Sequence, residues 1–295
     1  MPEILNIASY AKINLHLDVG NKRNDGFHNI SSIFKSISLH DTIDIHIHIE
    51  NNGDIDEPVK DLIEISGNFT CNKERNLIFR AASAFMQASG YRFYVKFNVK
   101  KIIPEGAGLG GGSSNAAAVL KNLYSLFPDI VGYNKITEAA SSLGSDVLFF
   151  LGENTALVTG RGDIVNSIDA QIPEYKILLV FPGFQINTAE AYSWIDNDRK
   201  ENDYEIKNID YLSVLARKPS EWEFFNSFKN PLEKRFDIYE QIFSVFQSHG
   251  SDYFNITGSG SAVFGIFSDN KNLKPAYNEL TGLCPDVWIT DMLAG

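Results

Sequence analysis

Strict alternation of apolar and polar residues predicts the first strand of this chain. Residues 11–19, AKINLHLDV, place apolar side chains at every second position. Successive side chains of a strand point to opposite faces, so the pattern predicts one buried face and one solvent-facing face. Residues 42–50 and 93–99 repeat the alternation and predict two more strands.

Two segments in the first half have apolar residues at helical spacing. Residues 76–89, NLIFRAASAFMQAS, predict a helix that Gly90 ends, and residues 113–127 predict a helix that Pro128 ends. In the second half, residues 175–181 predict a strand, and 188–194 and 236–249 predict helices. Residues 254–256 and 262–267 predict a strand pair. The charged run DNDRKENDYE, residues 196–205, predicts a solvated loop.

This mixture of elements predicts the fold class. Alternating strands favour a half-exposed antiparallel sheet over the buried parallel sheet of a doubly wound fold, so we expect an α+β protein. A chain of 295 residues is long for one core. We therefore expect two domains, residues 1–168 and 169–295.

Composition narrows the classes of function. The net charge of −11 disfavours a general nucleic-acid binder, because phosphate backbones select basic faces. No apolar run is long enough to cross a bilayer, and the first residues do not resemble a signal peptide. Two cysteines without metal-ligand spacing predict neither a disulfide framework nor a zinc site. A cytoplasmic location is the default expectation.

The segment PEGAGLGGGSSNAAAVL, residues 104–120, is the strongest chemical signal. Glycines at a helix N-terminus let backbone N–H groups converge on an anion, so the segment predicts a phosphate-binding loop; the plain alternative is a flexible linker. The segment has no lysine and therefore no Walker motif. It contains G-x-G-x-x-G, but no second strand follows at the distance that a dinucleotide fold requires.

The same segment resembles the phosphate loop of the GHMP kinases, the superfamily of galactokinase, homoserine kinase and mevalonate kinase. Further motifs of that family follow in order along nearly the whole chain. They are residues 11–15 (AKINL), 25–28 (DGFH), 76–78 (NLI), 144–146 (GSD), 182–183 (PG), 188–192 (TAEAY) and 257–261 (TGSGS). The resemblance implies a two-domain architecture, with an N-terminal ribosomal protein S5 domain 2-like domain and a C-terminal ferredoxin-like α/β sandwich.

The resemblance also implies an ATP-dependent small-molecule kinase. Asp146 corresponds to the catalytic base of the family, and Lys12 corresponds to the lysine expected beside that base and the acceptor hydroxyl. From the residues alone, Asp146 could equally be a helix N-cap, and Lys12 could belong to a solvated strand face. Ser145 and Leu148 depart from the usual alanine and proline near Asp146, and Pro231 follows Asn230 where an aspartate is usual.

Within the family, the motifs most resemble the branch that acts on a cytidine diphosphate conjugate in the non-mevalonate route to isoprenoid precursors. Phe27, in place of the usual tyrosine, would stack on the cytosine, and His28 would meet its polar edge. Tyr192 would form the second side of that sandwich. Asn14 would orient the substrate, and Thr188 would contact its diphosphate or erythritol part. Plain alternatives are a hydrophobic plug for Phe27 and a helix-face residue for Tyr192.

The resemblance implies bound ATP and Mg²⁺. The expected ATP contacts are Asn76, Leu77, Ile78, Pro104, Gly106, Ala107, Gly108, Leu109, Gly110, Gly111, Gly112, Ser113, Ser114, Gly258, Ser259 and Gly260. Ser113 and Ser114 are also candidate Mg²⁺ ligands. Without the family, residues 76–78 read as the first turn of a core helix, and residues 257–261 as a hairpin turn. Competing hypotheses are a homoserine- or mevalonate-type kinase and a non-catalytic binding protein of the same fold.

Overall fold

The computed structural model describes residues 3–50, 55–152, 154–170, 172–199 and 204–294. In these residues the strands are β1 (Glu3–Lys22), β2 (His28–His48), β3 (Ile63–Gly67), β4 (Tyr94–Lys100), β5 (Thr155–Gly160), β6 (Ile164–Ser167), β7 (Lys176–Phe181), β8 (Tyr253–Ile256), β9 (Val263–Phe267) and β10 (Asp286–Asp291).

The helices of the same residues are α1 (Leu77–Ser89), α2 (Gly111–Leu126), α3 (Tyr133–Leu143), α4 (Ser145–Leu151), α5 (Thr188–Arg199), α6 (Tyr211–Leu215), α7 (Lys229–Glu233), α8 (Ile238–Ser248) and α9 (Leu273–Leu280). Short 3₁₀ turns lie at Val59–Asp61, Lys73–Arg75 and Pro219–Glu221. No helix among the described residues is long and apolar enough to span a bilayer.

Two compact units make up the chain, and neither is continuous in sequence. The first contains the described residues of 3–11, 40–103 and 110–152, and the second contains 12–39, 104–109 and the described residues from 154 onward. The change from β6 to β7 falls close to the predicted domain boundary at 168/169. That linear division remains a prediction.

The first unit buries one large apolar core. The second half of β2 pairs antiparallel with β4, and β4 pairs parallel with β3. Helix α1 packs on α2 and α3, and α2 packs on α3 and α4. The helix α1 begins after Asn76, whose side chain accepts from Ile78 N, and it ends at Gly90 in the left-handed region. The predicted helix over residues 76–89 is thus confirmed, and Gly90 ends it as predicted, whereas Asn76 is its N-cap and not part of its first turn.

The second unit is built on a four-stranded antiparallel sheet in the order β10-β7-β9-β8. Helices α5 to α8 lie between β7 and β8 in the chain, and α9 lies between β9 and β10. This βαββαβ order is that of a ferredoxin-like sandwich, as predicted. The first half of β2, with β5 and β6, forms a further antiparallel ladder in this unit.

Burial corrects one prediction about β1. The polar positions of its alternating segment do not face solvent: Lys12 is 3% exposed, Asn14 1%, and His16 and Asp18 0%. The apolar positions between them are buried as well. Both faces of the strand are therefore covered, and the solvated-face interpretation of Lys12 is wrong.

A second correction concerns the charged run at residues 196–205. Residues 196–199 form the last turn of α5, whereas the sequence predicted a loop. Residues 200–203 lie outside the described residues. The helix therefore continues past its predicted end at 194 and carries Asp196 on one of its turns.

Candidate active site

The glycine loop, residues 104–112, follows β4 and runs into the first turn of α2. Its glycines have the unusual backbone angles that only glycine adopts readily. Gly106, Gly108 and Gly110 have φ angles of 67°, 78° and 71°, in the left-handed region that side chains disfavour. Ala107 and Leu109, between them, are each 1% exposed. The helix α2 begins at Gly111 after Gly110, and no side chain caps it. The first N–H groups of any helix lack a partner within the helix, and here no capping side chain takes them up, so they can bind an anion.

A buried carboxylate anchors the entry to this loop. Asp41 is 0% exposed and accepts from Ile102 N at 2.7 Å and from Ile103 N at 2.9 Å. It also pairs with the ammonium of Lys101. These three contacts hold residues 101–103, which directly precede Pro104 in the chain. Sequence reasoning missed Asp41, because its backbone partners lie 61 and 62 positions later in the chain.

The N-terminus of α4 carries Asp146. The helix begins at Ser145 with Gly144 as its N-cap, so Asp146 is the second helical residue and the N-cap interpretation is wrong. Its side chain is half-buried, with the Ser145 hydroxyl 3.5 Å from Oδ1. A Cβ added to Gly144 would lie 4.0 Å from Ser113 Oγ. The first turns of α2 and α4 are therefore neighbours.

The two serines of α2 differ in accessibility. Ser114 is 3% exposed, and its hydroxyl lies 2.7 Å from the hydroxyl of Ser9. Ser113 is half-buried and stands beside Gly112, which is exposed. Of the two candidate Mg²⁺ ligands, Ser113 is therefore the one whose side chain is available.

The predicted adenine contacts lie at the start of α1. Asn76 accepts from Ile78 N at 2.9 Å and caps the helix, and Ile78 is 1% exposed and belongs to the core. The side chain of Leu77 is half-buried, and its Cδ1 lies 3.4 Å from where a Cβ on Gly112 would be. Leu77 is thus beside the first turn of α2, whereas the side chain of Ile78 packs inward. Contact with adenine remains a prediction for all three.

In the second unit, Asn14 connects Lys12 to the turn between β8 and β9. Its Oδ1 accepts from Lys12 Nζ and from Gly258 N, each at 2.8 Å. Its Nδ2 donates to the Ser32 hydroxyl at 2.9 Å. The ammonium of Lys12 also lies 4.5 Å from the centroid of the Phe34 ring. Asn14 is therefore largely occupied by protein groups, and direct contact with a substrate remains a prediction.

The turn of residues 257–261 is held from several sides. The Thr257 hydroxyl lies 3.1 Å from Gly108 O, and Asn226 Nδ2 donates to Ile256 O at 2.8 Å and to Gly258 O at 2.9 Å. A Cβ added to Gly108 would lie 2.2 Å from Thr257 O, which only glycine avoids. The turn connects the hairpin β8–β9, as predicted, and stands against the first half of the glycine loop.

Aromatic and charged side chains surround the loop between β1 and β2. Phe27 is 55% exposed, so it is not a hydrophobic plug. Its backbone N–H donates to Asp25 Oδ1 at 3.1 Å, and the guanidinium of Arg161 lies 5.0 Å from its ring centroid. The Arg161 guanidinium thus packs against the ring of Phe27, and much of that ring remains accessible to solvent.

His28, by contrast, is buried beneath α5. Its ring stacks on Tyr192 with a centroid distance of 4.7 Å and an interplanar angle of 24°. Its Nε2 lies 2.8 Å from Asp196 Oδ1. At the start of the same helix, the Thr188 hydroxyl lies 3.3 Å from the Ser259 hydroxyl. Helix α5 therefore brings Thr188 to the 257–261 turn and Tyr192 to His28.

Two buried titratable groups lie on β1 and β2. Burial lowers the pKa of His16 to about 4, and its ring packs among the rings of Tyr211, Phe224 and Phe225. Burial also lowers the pKa of Lys35 to about 8, and its Nζ donates to Thr155 Oγ1 at 2.8 Å. His16 is therefore a neutral core residue at neutral pH.

Family models match the chain in two segments. The GHMP kinases N terminal domain matches residues 76–153, and the GHMP kinases C terminal domain matches residues 214–286. The first of these segments holds α1, the glycine loop and Asp146, and the second holds the turn of residues 257–261.

Curated relatives match almost the full length. A 4-diphosphocytidyl-2-C-methyl-D-erythritol kinase of Treponema pallidum (strain Nichols) is 33% identical over 286 residues, 94% of this chain and 94% of the relative. The enzyme of the same name from Thermotoga maritima is 35% identical over 273 residues, covering 90% and 93%.

Solved structures agree with this assignment. A crystal structure of 4-(cytidine 5'-diphospho)-2C-methyl-D-erythritol kinase matches with a TM-score of 0.82 and 28% identity, covering 99% of this chain and all of that one. The Methanococcus jannaschii mevalonate kinase matches at a TM-score of 0.67 and 14% identity, covering 99% of both, and shows the fold alone. The chain therefore belongs to the GHMP kinase superfamily, in the family of the 4-diphosphocytidyl-2-C-methyl-D-erythritol kinases.

Proposed function

We propose that this protein phosphorylates the 2-hydroxyl of 4-diphosphocytidyl-2-C-methyl-D-erythritol with ATP, a step of the non-mevalonate isoprenoid pathway. The observation that carries the proposal is identity of 33–35% over 90–94% of the chain to relatives of that name. The solved mevalonate and homoserine kinases, by comparison, match at 11–16% identity. The loop bearing Phe27 and His28 supports the same choice, because those two kinases act on substrates without a nucleobase.

The glycine loop supports ATP as the phosphoryl donor. Backbone N–H groups at the start of α2 can bind phosphate oxygens, and the left-handed glycines keep side chains out of their way. A Mg²⁺ ion carried by ATP would take Ser113 as a hydroxyl ligand and would neutralise charge on the transferred phosphoryl group. The 257–261 turn would add backbone donors from Gly258, Ser259 and Gly260.

We assign the acid–base chemistry to Asp146 and Lys12, on the motifs that the chain shares with its family. The carboxylate of Asp146 would take the proton of the 2-hydroxyl as its oxygen attacks the γ-phosphorus and ADP departs. The ammonium of Lys12 would stabilise the charge that develops on the attacking oxygen. Its burial and its bond to Asn14 restrict its position, as such a role requires.

Substrate recognition is assigned to the second unit. The exposed ring of Phe27 would stack on cytosine, and His28 would meet the polar edge of the base. Tyr192 stacks on the imidazole of His28, and its place on the other side of the base stays a prediction. Thr188, beside Ser259, would contact the diphosphate or the erythritol part. Asn14 would act mainly by holding Lys12 and Gly258 in position.

Phosphorus NMR of the purified protein with Mg-ATP tests the substrate. Separate samples contain 4-diphosphocytidyl-2-C-methylerythritol, methylerythritol 4-phosphate, mevalonate or homoserine. We expect a new phosphomonoester signal only with the first. A signal with mevalonate or homoserine instead would favour another small-molecule kinase of the superfamily, and no signal despite bound ATP would favour a non-catalytic protein.

The variant Asp146→Asn tests the base. We expect kcat to fall by about 10²- to 10⁴-fold, the usual contribution of general base catalysis, with ATP binding retained. Asp129→Asn is the matched control, because Asp129 is exposed and follows the end of α2. An Asp146→Asn variant within a few-fold of wild type would remove Asp146 from this role.

A further inference from the structure

Helix α5 holds the imidazole of His28 with two of its side chains. Tyr192 and Asp196 are four residues apart and therefore lie on the same face of the helix. Tyr192 stacks on the imidazole, and Phe228 packs its ring against Tyr192 at 5.0 Å and 89°. Asp196 Oδ1 lies 2.8 Å from Nε2 of the same imidazole. The side chain of His28 is only 5% exposed. Its ring orientation is therefore fixed by stacking and by a hydrogen bond together.

The bond to Asp196 decides where the imidazole carries its proton. An ionised carboxylate can only accept, so Nε2 must donate. In a neutral imidazole the other nitrogen is then an acceptor. Among the described residues no group forms a hydrogen bond with Nδ1. His28 thus presents an unpaired acceptor.

We infer that Asp196 is a positioning residue that makes His28 select an amino-bearing pyrimidine over its oxo counterpart. This inference rests on the proposed function, which gives the substrate a cytosine base. Cytosine carries an N4 amino donor where uracil carries the O4 acceptor. Nδ1 of His28 accepts from the amino group, whereas it faces the uracil oxygen as a second acceptor. Asp196 acts through His28 and does not touch the base.

The magnitude follows from one mismatched hydrogen bond. Two acceptors brought together in a largely buried place leave both unsatisfied, which disfavours the uracil ligand by about tenfold to a hundredfold. Ribose and diphosphate are the same in both nucleotides. The ratio of the two affinities therefore isolates the contact at the base edge.

The proton position is measured first, by ¹⁵N NMR of histidine-labelled protein at pH 8. The signal of His28, one of six histidines, is assigned by its loss in His28→Gln. We expect a neutral ring protonated on Nε2 in wild type and a mixture of tautomers in Asp196→Ala. A ring protonated on Nδ1, or on both nitrogens, in wild type would overturn the inference. This measurement requires no substrate, so its result is independent of the proposed function.

Nucleotide selectivity is measured next, by calorimetric titration with cytidine 5'-diphosphate and uridine 5'-diphosphate. We expect wild type to prefer the cytidine nucleotide by at least about tenfold, Asp196→Ala to lose most of that preference, and Asp196→Glu to restore part of it. Asp198→Ala is the control, because Asp198 is on the same helix but pairs with Lys234 at 3.0 Å. That variant should keep the wild-type ratio.

The outcomes separate this inference from the proposed function. Binding of both nucleotides without discrimination in wild type, or an equal loss of both affinities in Asp196→Ala, would overturn the role of Asp196 and leave the kinase assignment standing. If neither nucleotide bound, the cytidyl substrate and the base contact would both be wrong. Loss of the preference together with a change of tautomer in Asp196→Ala would support the inference.

Discussion

Lys35 is a fully buried lysine on β2, and among the described residues its ammonium has one hydrogen-bond partner, a hydroxyl. Replacing Lys35 with an uncharged side chain should therefore stabilise the protein. Its side chain is 0% exposed, and Nζ donates to Thr155 Oγ1. Burial lowers its pKa from 10.5 to about 8. Below about pH 8 the folded and unfolded chains both carry the proton, and the folded chain then carries the full cost of burying the charge.

The size of this cost follows from the shift in pKa. A fall from 10.5 to about 8 corresponds to about 3 kcal/mol at neutral pH. Lys35→Met removes that cost and also removes a hydrogen bond worth about 1 kcal/mol. We therefore expect a gain of about 2 kcal/mol in the free energy of unfolding at pH 7.

The gain should shrink as pH rises. Between about pH 8 and 10.5 the unfolded chain binds a proton that folded Lys35 has released, so the stability of wild type rises relative to Lys35→Met. At about pH 9.5 the remaining cost of burial is about 1 kcal/mol, and it cancels the lost hydrogen bond. The difference between the two proteins should then be close to zero.

Urea unfolding followed by tryptophan fluorescence measures this difference. The three tryptophans, Trp194, Trp222 and Trp288, all belong to the unit that contains Lys35. Lys121→Met is the control, because Lys121 is exposed on α2 and should show little change at either pH. A Lys35→Met protein that is less stable than wild type at pH 7, or whose gain does not depend on pH, would refute the reasoning.

Three further predictions concern the site. Phe27→Ala should raise KM for the cytidyl substrate about tenfold to a hundredfold, because stacking on the base is lost, and should leave KM for ATP unchanged. An equal rise in both KM values would contradict the stacking assignment. In Gly108→Ala the new Cβ would lie 2.2 Å from Thr257 O, so calorimetry should show ATP binding weakened more than about tenfold. Gly132→Ala is the control and should bind ATP normally, because no atom lies within 4 Å of its Cβ. Asp41→Ala leaves Lys101 without its buried partner and should lower the free energy of unfolding in urea by about 3–5 kcal/mol; a loss below about 1 kcal/mol would show that the pair is not buried.

Local signals in the sequence were sufficient for about half of the helices and strands of the described residues. The helix at α1 follows from its apolar spacing together with Gly90, because a left-handed C-cap depends on residues adjacent in the chain. The glycine loop follows in the same way, because positive φ angles are a property of single residues. No such clear signal marked the remaining elements, and the following were not predicted: β3, β5, β6, β10, α3, α6, α7 and α9.

The residues that position the candidate site were harder to find. Asp41, Arg161, Asp196 and Asn226 each act on groups far away in sequence, with separations of 168 residues for Asp196 and His28 and 32 for Asn226 and Gly258. No periodic pattern connects such pairs. The charged run that contains Asp196 indicated a loop, because charge is a sign of solvent exposure and not of a particular partner.

The sequence by itself determined the alternation of β1, the bare backbone of the glycine loop and membership of the GHMP kinase superfamily, since all three depend on residue types in a fixed order. Only the tertiary structure decided that the polar face of β1 is buried, so that Lys12 is bound by Asn14 and is not solvated. It also decided that the imidazole of His28 meets a carboxylate on α5. Burial and hydrogen-bond partners depend on which segments fold against one another, and that information is spread over the whole chain.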